Sequence, residues 1–521
     1  MYFNSTYLAG TMFDPEPGPH VAETLRRAGL TGLRLTDFGF EHSGRDYALL
    51  RPVQERLPHL TTFTLESILQ AGKFDYAHVD LEHVWRDDVE MPGGDFKVVL
   101  LSTSFIWNQT LLATAVGWVE RNLPGVPIVV GGQYTNLKFM PAMNHHDSIV
   151  AVVRGDGEAA IPAVLDALAN GGSMAGAPNV VWRDGDRIRI NPIEYVDMDE
   201  WPSPGYSGRF PVVPYESMRG CPFDCKFCSF PAASPKWRYK SAEKIRDDWV
   251  RYAGENESKL ISAMDSTFTI PPTRLRRLLE ILPDAGVAWE GFSRANTVGS
   301  VKTIEGLRAA HCEQLHIGFE SMNEGTLKLM SKRVTAKQNR QALHALRTGG
   351  MGYTVFFIVG YPGETPEMFA DTRDFLVEEY DGHFMLNLFT ITDETMPLWQ
   401  DRERLRIQAD DPEDPDSNWS HIGMTRDDAL ALQADALDRV RRRNDRAVYL
   451  LWQRSYQNLM LPHRDRDTNL AVEKCVERLA MAPRDFTDPD RGAAEMRAQL
   501  DRLAAHGVRP LSGRPLCTDS L

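Results

Sequence analysis

Apolar residues along the chain keep two alternating rhythms. Runs of about four to eight β-branched or large apolar residues end at glycine or a polar residue, the mark of buried strands. Between them apolar residues return every three or four positions, as on one face of a helix. In the first part this predicts a helix over L-E-S-I-L-Q-A-G-K from Leu65 and a strand over 74–81 (F-D-Y-A-H-V-D-L). Further strands are expected at K-V-V-L-L-S-T-S-F from Lys97, P-I-V-V-G-G from Pro127 and I-V-A-V-V-R-G-D-G-E from Ile149. Helices are expected over 110–122 and over A-A-I-P-A-V-L-D-A-L from Ala159. Alternation of this kind, with glycines closing the strands, predicts a doubly wound, Rossmann-like parallel sheet that binds ligands at its carboxyl edge. N-V-V-W-R-D-G-D-R-I-R-I-N-P from Asn179 predicts a hairpin around Asp-Gly, and W-P-S-P-G-Y-S-G from Trp201 a linker.

A second series follows. Strands are predicted from Val212, Leu260, Ala288, Gln314, Tyr353 and Phe384, with helical stretches between them. These units suggest a partial (β/α)6 TIM-like barrel, with chemistry collected at the carboxyl ends of its strands. Beyond 400 the chain turns polar and helical. Its T-R-D-D-A-L-A-L-Q-A-D-A-L-D-R-V-R-R-R starts at a Thr cap, with acids early and bases late. The expected organisation is a Rossmann-like domain over 1–200, a barrel over 201–400 and a mostly helical domain over 401–521.

Composition narrows the class. The 521 residues are 42% hydrophobic and 25% charged, as in globular proteins. A net charge of −14 argues against broad binding of nucleic acid. The first residues lack a basic segment followed by an apolar run, so no signal peptide is expected, and no stretch reaches the length of a membrane span. Of the cysteines, Cys221, Cys225 and Cys228 cluster while Cys312, Cys475 and Cys517 are scattered. That is not a secreted disulfide pattern, and a reducing cytoplasm is the expected compartment.

The cluster itself reads R-G-C-P-F-D-C-K-F-C-S-F, with the spacing C-x3-C-x2-C after the first barrel strand. Three thiolates can hold a 4Fe-4S cluster and leave one iron without a protein ligand, open to a chelating small molecule. The alternatives are a zinc site completed by a distant ligand, or inert core thiols.

The stretch resembles the cluster loop of radical S-adenosylmethionine (radical SAM) enzymes, in which SAM chelates the open iron. The resemblance implies that Phe227 packs near the adenine. L-H-I-G-F-E-S-M-N-E-G-T-L-K-L-M-S-K is similar to the family's fourth strand and following helix, which makes Glu320 and Ser321 candidates for the methionine end of SAM. F-S-R-A-N resembles the third-strand end and offers Ser293 and Arg294 to the SAM carboxylate or ribose. F-F-I-V-G-Y-P-G-E-T resembles the fifth-strand motif, with backbone near Ile358 and Gly360 facing adenine. M-D-S-T-F-T resembles the second-strand end, which implies a place at the cavity for Asp265 as a candidate catalytic residue. Singly, each of these is as readily a turn, a salt bridge or a surface charge.

The first domain resembles that of the cobalamin-binding subclass. L-S-T-S-F-I-W, V-V-G-G-Q-Y-T-N and V-R-G-D-G-E-A-A-I-P carry that likeness, as does the later W-S-H-I-G-M-T. The implied cobalamin contacts are Ser102, Thr103, Ser104, Gly131, Gly132, Gln133, Gly155, Gly157 and Glu158. No D-x-H-x-x-G occurs and His83 has the wrong spacing, so cobalamin is expected without a histidine lower ligand. A domain that has lost its cofactor is the alternative.

The resemblance implies the following chemistry. A low-potential donor of flavodoxin or ferredoxin type reduces the cluster, SAM is cleaved to a 5′-deoxyadenosyl radical, and that radical takes hydrogen from the substrate. Methyl transfer from methylcobalamin to an unactivated carbon then follows, less often to phosphorus. Rearrangement, cyclisation or oxidation without methyl transfer is the runner-up, and a non-catalytic iron-sulfur or zinc protein is the alternative of another class. A methylthiotransferase is disfavoured, because the first domain has no cysteine. The substrate is expected to be a small molecule, peptide or lipid. Trp107, Tyr134, Asn387, Trp399, Tyr449, Trp452 and Tyr456 are candidates for its pocket.

Overall fold

The computed structural model describes residues 19–30, 58–86, 88–412, 417–449 and 466–507. The fold is α/β, with two large sheets, two two-stranded ribbons and a helical C-terminal part among the described residues. In the first sheet β1 (Val99–Ser102), β2 (Ile128–Gly131) and β3 (Ile149–Val153) run parallel. β4 (Val180–Asp184) and β5 (Arg187–Ile190) then extend it as the expected antiparallel hairpin, turning through Gly185 at φ 59°. The sheet is therefore mixed rather than wholly parallel. Alternate residues of β2 serve opposite cores. Ile128 and Val130 pack with helix Gln109–Asn122, and Val129 packs with helix Ala160–Ala169. A strand buried on both faces reads as an unbroken apolar run, which is what I-V-V is.

The strand expected at 74–81 does not form. Most of the segment is irregular, and a short helix begins at Leu81. Phe74 and Val79 anchor in different cores while Tyr76 stays exposed, so no single face is available for pairing.

The second sheet has seven parallel strands in chain order: β6 (Val212–Tyr215), β7 (Leu260–Ala263), β8 (Ala288–Arg294), β9 (Cys312–Glu320), β10 (Gly352–Val359), β11 (Gly382–Leu388) and β12 (Ala447–Tyr449). All six expected strands occur. The seventh, A-V-Y, comes from beyond the expected barrel and is too short to show a periodicity. Strand parity divides the side chains between helices and lumen. On β8, Trp289 packs outward against Trp249 and Phe268, whereas Glu290, Phe292 and Arg294 face inward.

Helix Arg426–Arg443 starts where expected, and Thr425 and Asp428 form a reciprocal capping box. Helices Arg466–Asp485 and Pro489–Ala505 pack with Pro19–Ala28 around Leu25, Val476, Leu479 and Met496. Asp381, at the foot of β11, ties this region to the barrel. Its carboxylate takes Arg347 at 2.5 Å, Arg446 at 3.0 Å, Arg466 at 3.0 Å and the Tyr353 hydroxyl at 2.6 Å. Burial pushes its pKa up, but Tyr353, Arg466 and Arg347 outweigh burial and hold it well below the usual carboxylate range.

Asp381→Asn should lower stability by about 3 kcal/mol, because it leaves the largely buried Arg466 and the partly exposed Arg347 without their carboxylate. The wild-type excess should be present above the unfolded carboxylate pKa of about 3.9 and disappear as pH falls below it. Urea midpoints of both proteins across that range check this.

Candidate active site

After β6 the chain makes a closed excursion. Met218–Arg219 pairs antiparallel with Arg238–Tyr239, which brings the two ends of 220–237 together. At this neck Gly220 has φ +74°, and a Cβ there would lie 2.6 Å from the Lys236 carbonyl oxygen. Only glycine lets the neck close. Cys221, Cys225 and Cys228 sit on the excursion, with Cys225 buried and the other two partly exposed. Cys228 N–H donates to Cys225 O at 3.1 Å. Lys226 N–H donates to Met330 O at 2.9 Å, and Leu398 N–H to Lys226 O at 3.0 Å, so two other segments hold the loop's centre. Burial pushes the Cys228 thiol up to about 11. Among the described residues no three His, Cys, Asp or Glu side chains converge on one ion. A cubane asks for no such convergence, since each thiolate binds its own iron.

Two buried cations stand beside the loop. Arg294 Nη1 lies 3.5 Å from Cys225 Sγ, its guanidinium sits 3.8 Å over the Phe223 ring, and its Nη2 donates to Lys332 O. Lys332 Nζ donates to Glu320 Oε1 at 2.6 Å and lies 5.5 Å from the Phe227 ring centre. Glu320 adopts φ +63° at a bulge between β9 and β10. Gly318 makes room for it, because a Cβ there would fall 2.1 Å from Glu320 Oε1. Phe227, Arg294 and Glu320 thus meet at the cysteine loop. Lys332 and Phe223, which join them, were not anticipated. The signal available for Lys332 was its place as the last residue of the stretch resembling the fourth strand and following helix.

Other expected residues sit elsewhere. Ser293 has the wrong parity for the lumen. Its hydroxyl is buried behind the sheet, 2.7 Å from Thr269 Oγ1 and 3.0 Å from Thr297 Oγ1. Ser321 is fully buried and faces Thr372 at 3.2 Å while accepting from Asn323 N–H. Asp265 is enclosed as well. It accepts from Ser217 N–H at 2.7 Å, Met218 N–H at 2.9 Å and the Ser217 hydroxyl, so it fixes the backbone entering the cysteine loop. Burial raises the Asp265 pKa against the opposing pull of Arg274. Asp265 is a positioning residue in this geometry, not a group offered to a substrate.

Ile358 is half-buried beside Asn387 at the carboxyl end of β10. Gly360 spends both backbone groups locally. Its N–H donates to Glu364 Oε2 at 2.8 Å and its carbonyl accepts from His421 Nε2 at 3.2 Å. Its φ is +86°, and a Cβ would lie 2.7 Å from Trp419. His421 Nδ1 accepts from Gly363 N–H at 3.2 Å and Gly423 N–H at 3.0 Å. The W-S-H segment therefore clamps the turn after β10. Burial lowers the His421 pKa to about 4, so the ring is neutral and this tautomer is fixed. Burial raises Glu364 to about 7. Of the expected pocket aromatics, Tyr134 and Tyr449 belong to cores, Trp399 Nε1 donates to Asp393 O, and Trp107 is exposed. Trp452 and Tyr456 lie outside the described residues.

A cavity of about 280 Å³ opens between the two sheets. Its first wall is the carboxyl edge of β1–β3: Ser102, Ser104, Gly131, Gly132, Gln133, Gly155, Gly157 and Glu158. Leu65 and Ile68 of helix Leu60–Ala71 form an apolar side, and Arg219, Phe230 and Ala233 close it from the excursion. Thr103 does not line it. Its hydroxyl donates to Gly131 O beneath the edge, and Gly132 is glycine because a Cβ would lie 2.9 Å from that hydroxyl. Arg219, next but one to Cys221, crosses the junction to Asp156 at 2.9 Å and Glu158 at 2.5 Å, and also pairs with Glu216 at 2.9 Å. Arg238 adds a second cation on Asp156 at 2.6 Å. Glu158 Oε2 is buried and has no hydrogen-bond partner among the described residues. A cradle with small residues, an apolar slot and an unanswered acceptor fits a large ligand bearing amide donors, as cobalamin does. His83 is exposed, 2.9 Å from Asp88, and no histidine is among the cavity's described lining residues.

The sequence profile of the radical SAM superfamily matches residues 215–376. The chain is 27% identical over 296 residues to an uncharacterized methyltransferase of Pyrococcus horikoshii, covering 54% of this chain and 63% of that protein. It is 28% identical over 202 residues to the bacteriochlorophyllide d C-12(1)-methyltransferase of Chlorobaculum tepidum, covering 37% of this chain and 44% of that one. The chain thus spans less than two thirds of either relative. Among solved structures, it superposes on the radical SAM methyltransferase TsrM of Kitasatospora setae, with cobalamin and a [4Fe-4S] cluster bound, at a TM-score of 0.61. That match has 15% identity and covers 87% of this chain and 98% of the other.

Because the Glu364 pKa is raised, the folded chain keeps a proton that the unfolded chain loses between about pH 4.5 and 7. Its contribution therefore falls as pH rises through that window. Stability of wild type minus that of Glu364→Gln should drop by about 3 kcal/mol across it, measured by urea denaturation.

Proposed function

This chain belongs to the radical SAM superfamily, and we propose that within it the protein is a cobalamin-dependent methyltransferase acting on an unactivated carbon. The observation that carries the reading is the shared cavity. One wall is the glycine-lined edge of the first sheet, and the other is the neck of the three-cysteine excursion. When bound, the 4Fe-4S cluster, SAM and cobalamin supply radical generation and the transferable methyl group.

The chain's own part is positioning. Cys221, Cys225 and Cys228 would hold three irons, and Arg294 places a positive charge beside one of these sulfurs. The Lys332–Glu320 pair offers a cation and a carboxylate for the methionine end of SAM, with Phe227 alongside. Ile358, half-buried at the carboxyl end of β10, is the candidate for the adenine side. The glycine edge would receive the corrin and the apolar slot by Leu65 and Ile68 its nucleotide tail, with no histidine among the described lining residues. In the lumen, Phe292 of β8 and Met264 just past the end of β7 remain 36% and 45% exposed, and Phe356 continues that apolar wall. Glu290 lies below, bonded to Ser262 at 2.8 Å and 3.6 Å from His316. This wall suits a substrate with an apolar body.

Anaerobic reconstitution with iron, sulfide, hydroxocobalamin, SAM and dithionite tests the reading. It should yield 5′-deoxyadenosine and S-adenosylhomocysteine, and Cys225→Ala should lose the cluster and both products. Deoxyadenosine without S-adenosylhomocysteine in the presence of turned-over substrate would replace methyl transfer by another radical outcome. Neither product, with the cluster assembled, would overturn it.

A further inference from the structure

We propose that the barrel lumen selects a substrate whose apolar body ends in a protonated amine, with Glu290 as the residue that receives the ammonium; this rests on the functional reading above. Inward positions of packed parallel barrels are usually filled by bulky branched apolar side chains. On β7–β10 the side chains that turn away from the outer core depart from that rule. Ser262, Glu290, Gln314, His316 and Thr354 stand there, all buried. Gln314 Nε2 donates to Thr354 Oγ1 at 3.0 Å, and the Ser262 hydroxyl donates to Glu290 Oε1 at 2.8 Å. Glu290 Oε2 has no such donor among the described residues. Its ion-pair partner there is His316, whose Nε2 stands off at 3.6 Å, and no described lysine or arginine pairs with it. A carboxylate buried in this way is costly until a donor or a cation answers it.

The carboxylate stands at the lower end of an aromatic wall. Phe292 is one inward step up β8 from Glu290, and its ring centre lies 5.0 Å from that of His316 and 6.1 Å from that of Phe356. The next inward step is Arg294, beside Cys225. Four residues of strand rise set Glu290 about 13 Å below Arg294. Phe292 and Met264 keep enough exposure for a ligand to lie along them. The cations at the upper end are already engaged, Arg294 by the Lys332 carbonyl and Lys332 by Glu320. The lower end therefore offers a negative charge beside aromatic faces, and such faces also attract cations. An ammonium answers both the charge and the open lone pairs of Glu290. A hydroxyl answers only the lone pairs, and a carboxylate would be repelled.

The test uses the enzyme reconstituted with cluster, hydroxocobalamin and SAM, and two matched probes, 2-(1-naphthyl)ethylamine and 2-(1-naphthyl)ethanol. Binding of each is titrated calorimetrically to wild type, Glu290→Gln, Glu290→Asp and Phe292→Ala. Deoxyadenosine formed with dithionite is measured on the same wild-type preparation. Wild type should bind the amine about ten-fold more tightly than the alcohol, as a hydrogen bond to a charged group allows. Glu290→Gln keeps the size and the acceptor for Ser262, and should bind the two probes equally. Glu290→Asp keeps the charge but draws it back, and should show a reduced preference. Phe292→Ala should weaken both probes alike and leave the preference in place. Equal binding of the two probes by wild type, binding of neither, or an amine preference that survives Glu290→Gln would overturn the proposal. An amine preference that depends on Glu290 in a preparation forming no deoxyadenosine would instead overturn the functional reading and leave the binding site standing.

Discussion

Two guanidiniums, those of Arg219 and Arg238, join the two halves of this molecule through Asp156. Arg219 leaves the first barrel strand just before the cysteines and is met by Asp156 and Glu158 from the glycine-rich edge of the first sheet. The group is nearly buried, and leaving it unpaired there would cost several kcal/mol. The domains therefore cannot slide without stranding a charge. Its position also fixes the cavity, since the residues that grip Arg219 belong to the loop that forms the first wall. Asp265 completes the arrangement from behind by bonding the backbone of Ser217 and Met218. The path of the cysteine loop is thus set from both sides before any metal is bound.

The electrostatics of the loop follow from what it must carry. Three thiolates in a partly buried place call for nearby positive charge. Arg294 provides it from the end of β8 and Lys332 from the segment after helix Glu324–Leu329, and neither is free to leave. Arg294 is fixed by Phe223 and the Lys332 carbonyl, and Lys332 by Glu320. The glycines at 220 and 318 and the positive φ of Glu320 are where the backbone gives way so that these side chains fit. A second clamp, His421 on the Gly360–Gly363 turn, holds the neighbouring strand end by neutral hydrogen bonds.

Much of this was legible in the sequence where the signal was local. Cysteine spacing, apolar runs and the Thr425 cap each depend on a few adjacent residues. What escaped needed information from distant segments. Ser293 and Arg294 are neighbours, yet strand parity sends one to the helices and the other to Cys225, and the motif alone could not say which. Ser321 fails for a related reason, because the bulge at Glu320 changes the parity that follows. Thr103 lies in the right turn but props Gly131 from beneath. The 74–81 segment has strand-like composition without a free sheet edge, and A-V-Y gains its strand only by lying against β11. Arg219 stood within the cysteine motif, but its partners are some sixty residues earlier.

The central claim is that cobalamin and the cluster face each other across the cavity that Arg219 closes. Pulsed EPR on the reconstituted protein, with cobalt(II) cobalamin and the reduced cluster, tests it most directly. The account predicts dipolar coupling between the two spins, lost when Cys225→Ala removes the cluster. Cobalamin bound without coupling to an intact reduced cluster would contradict it.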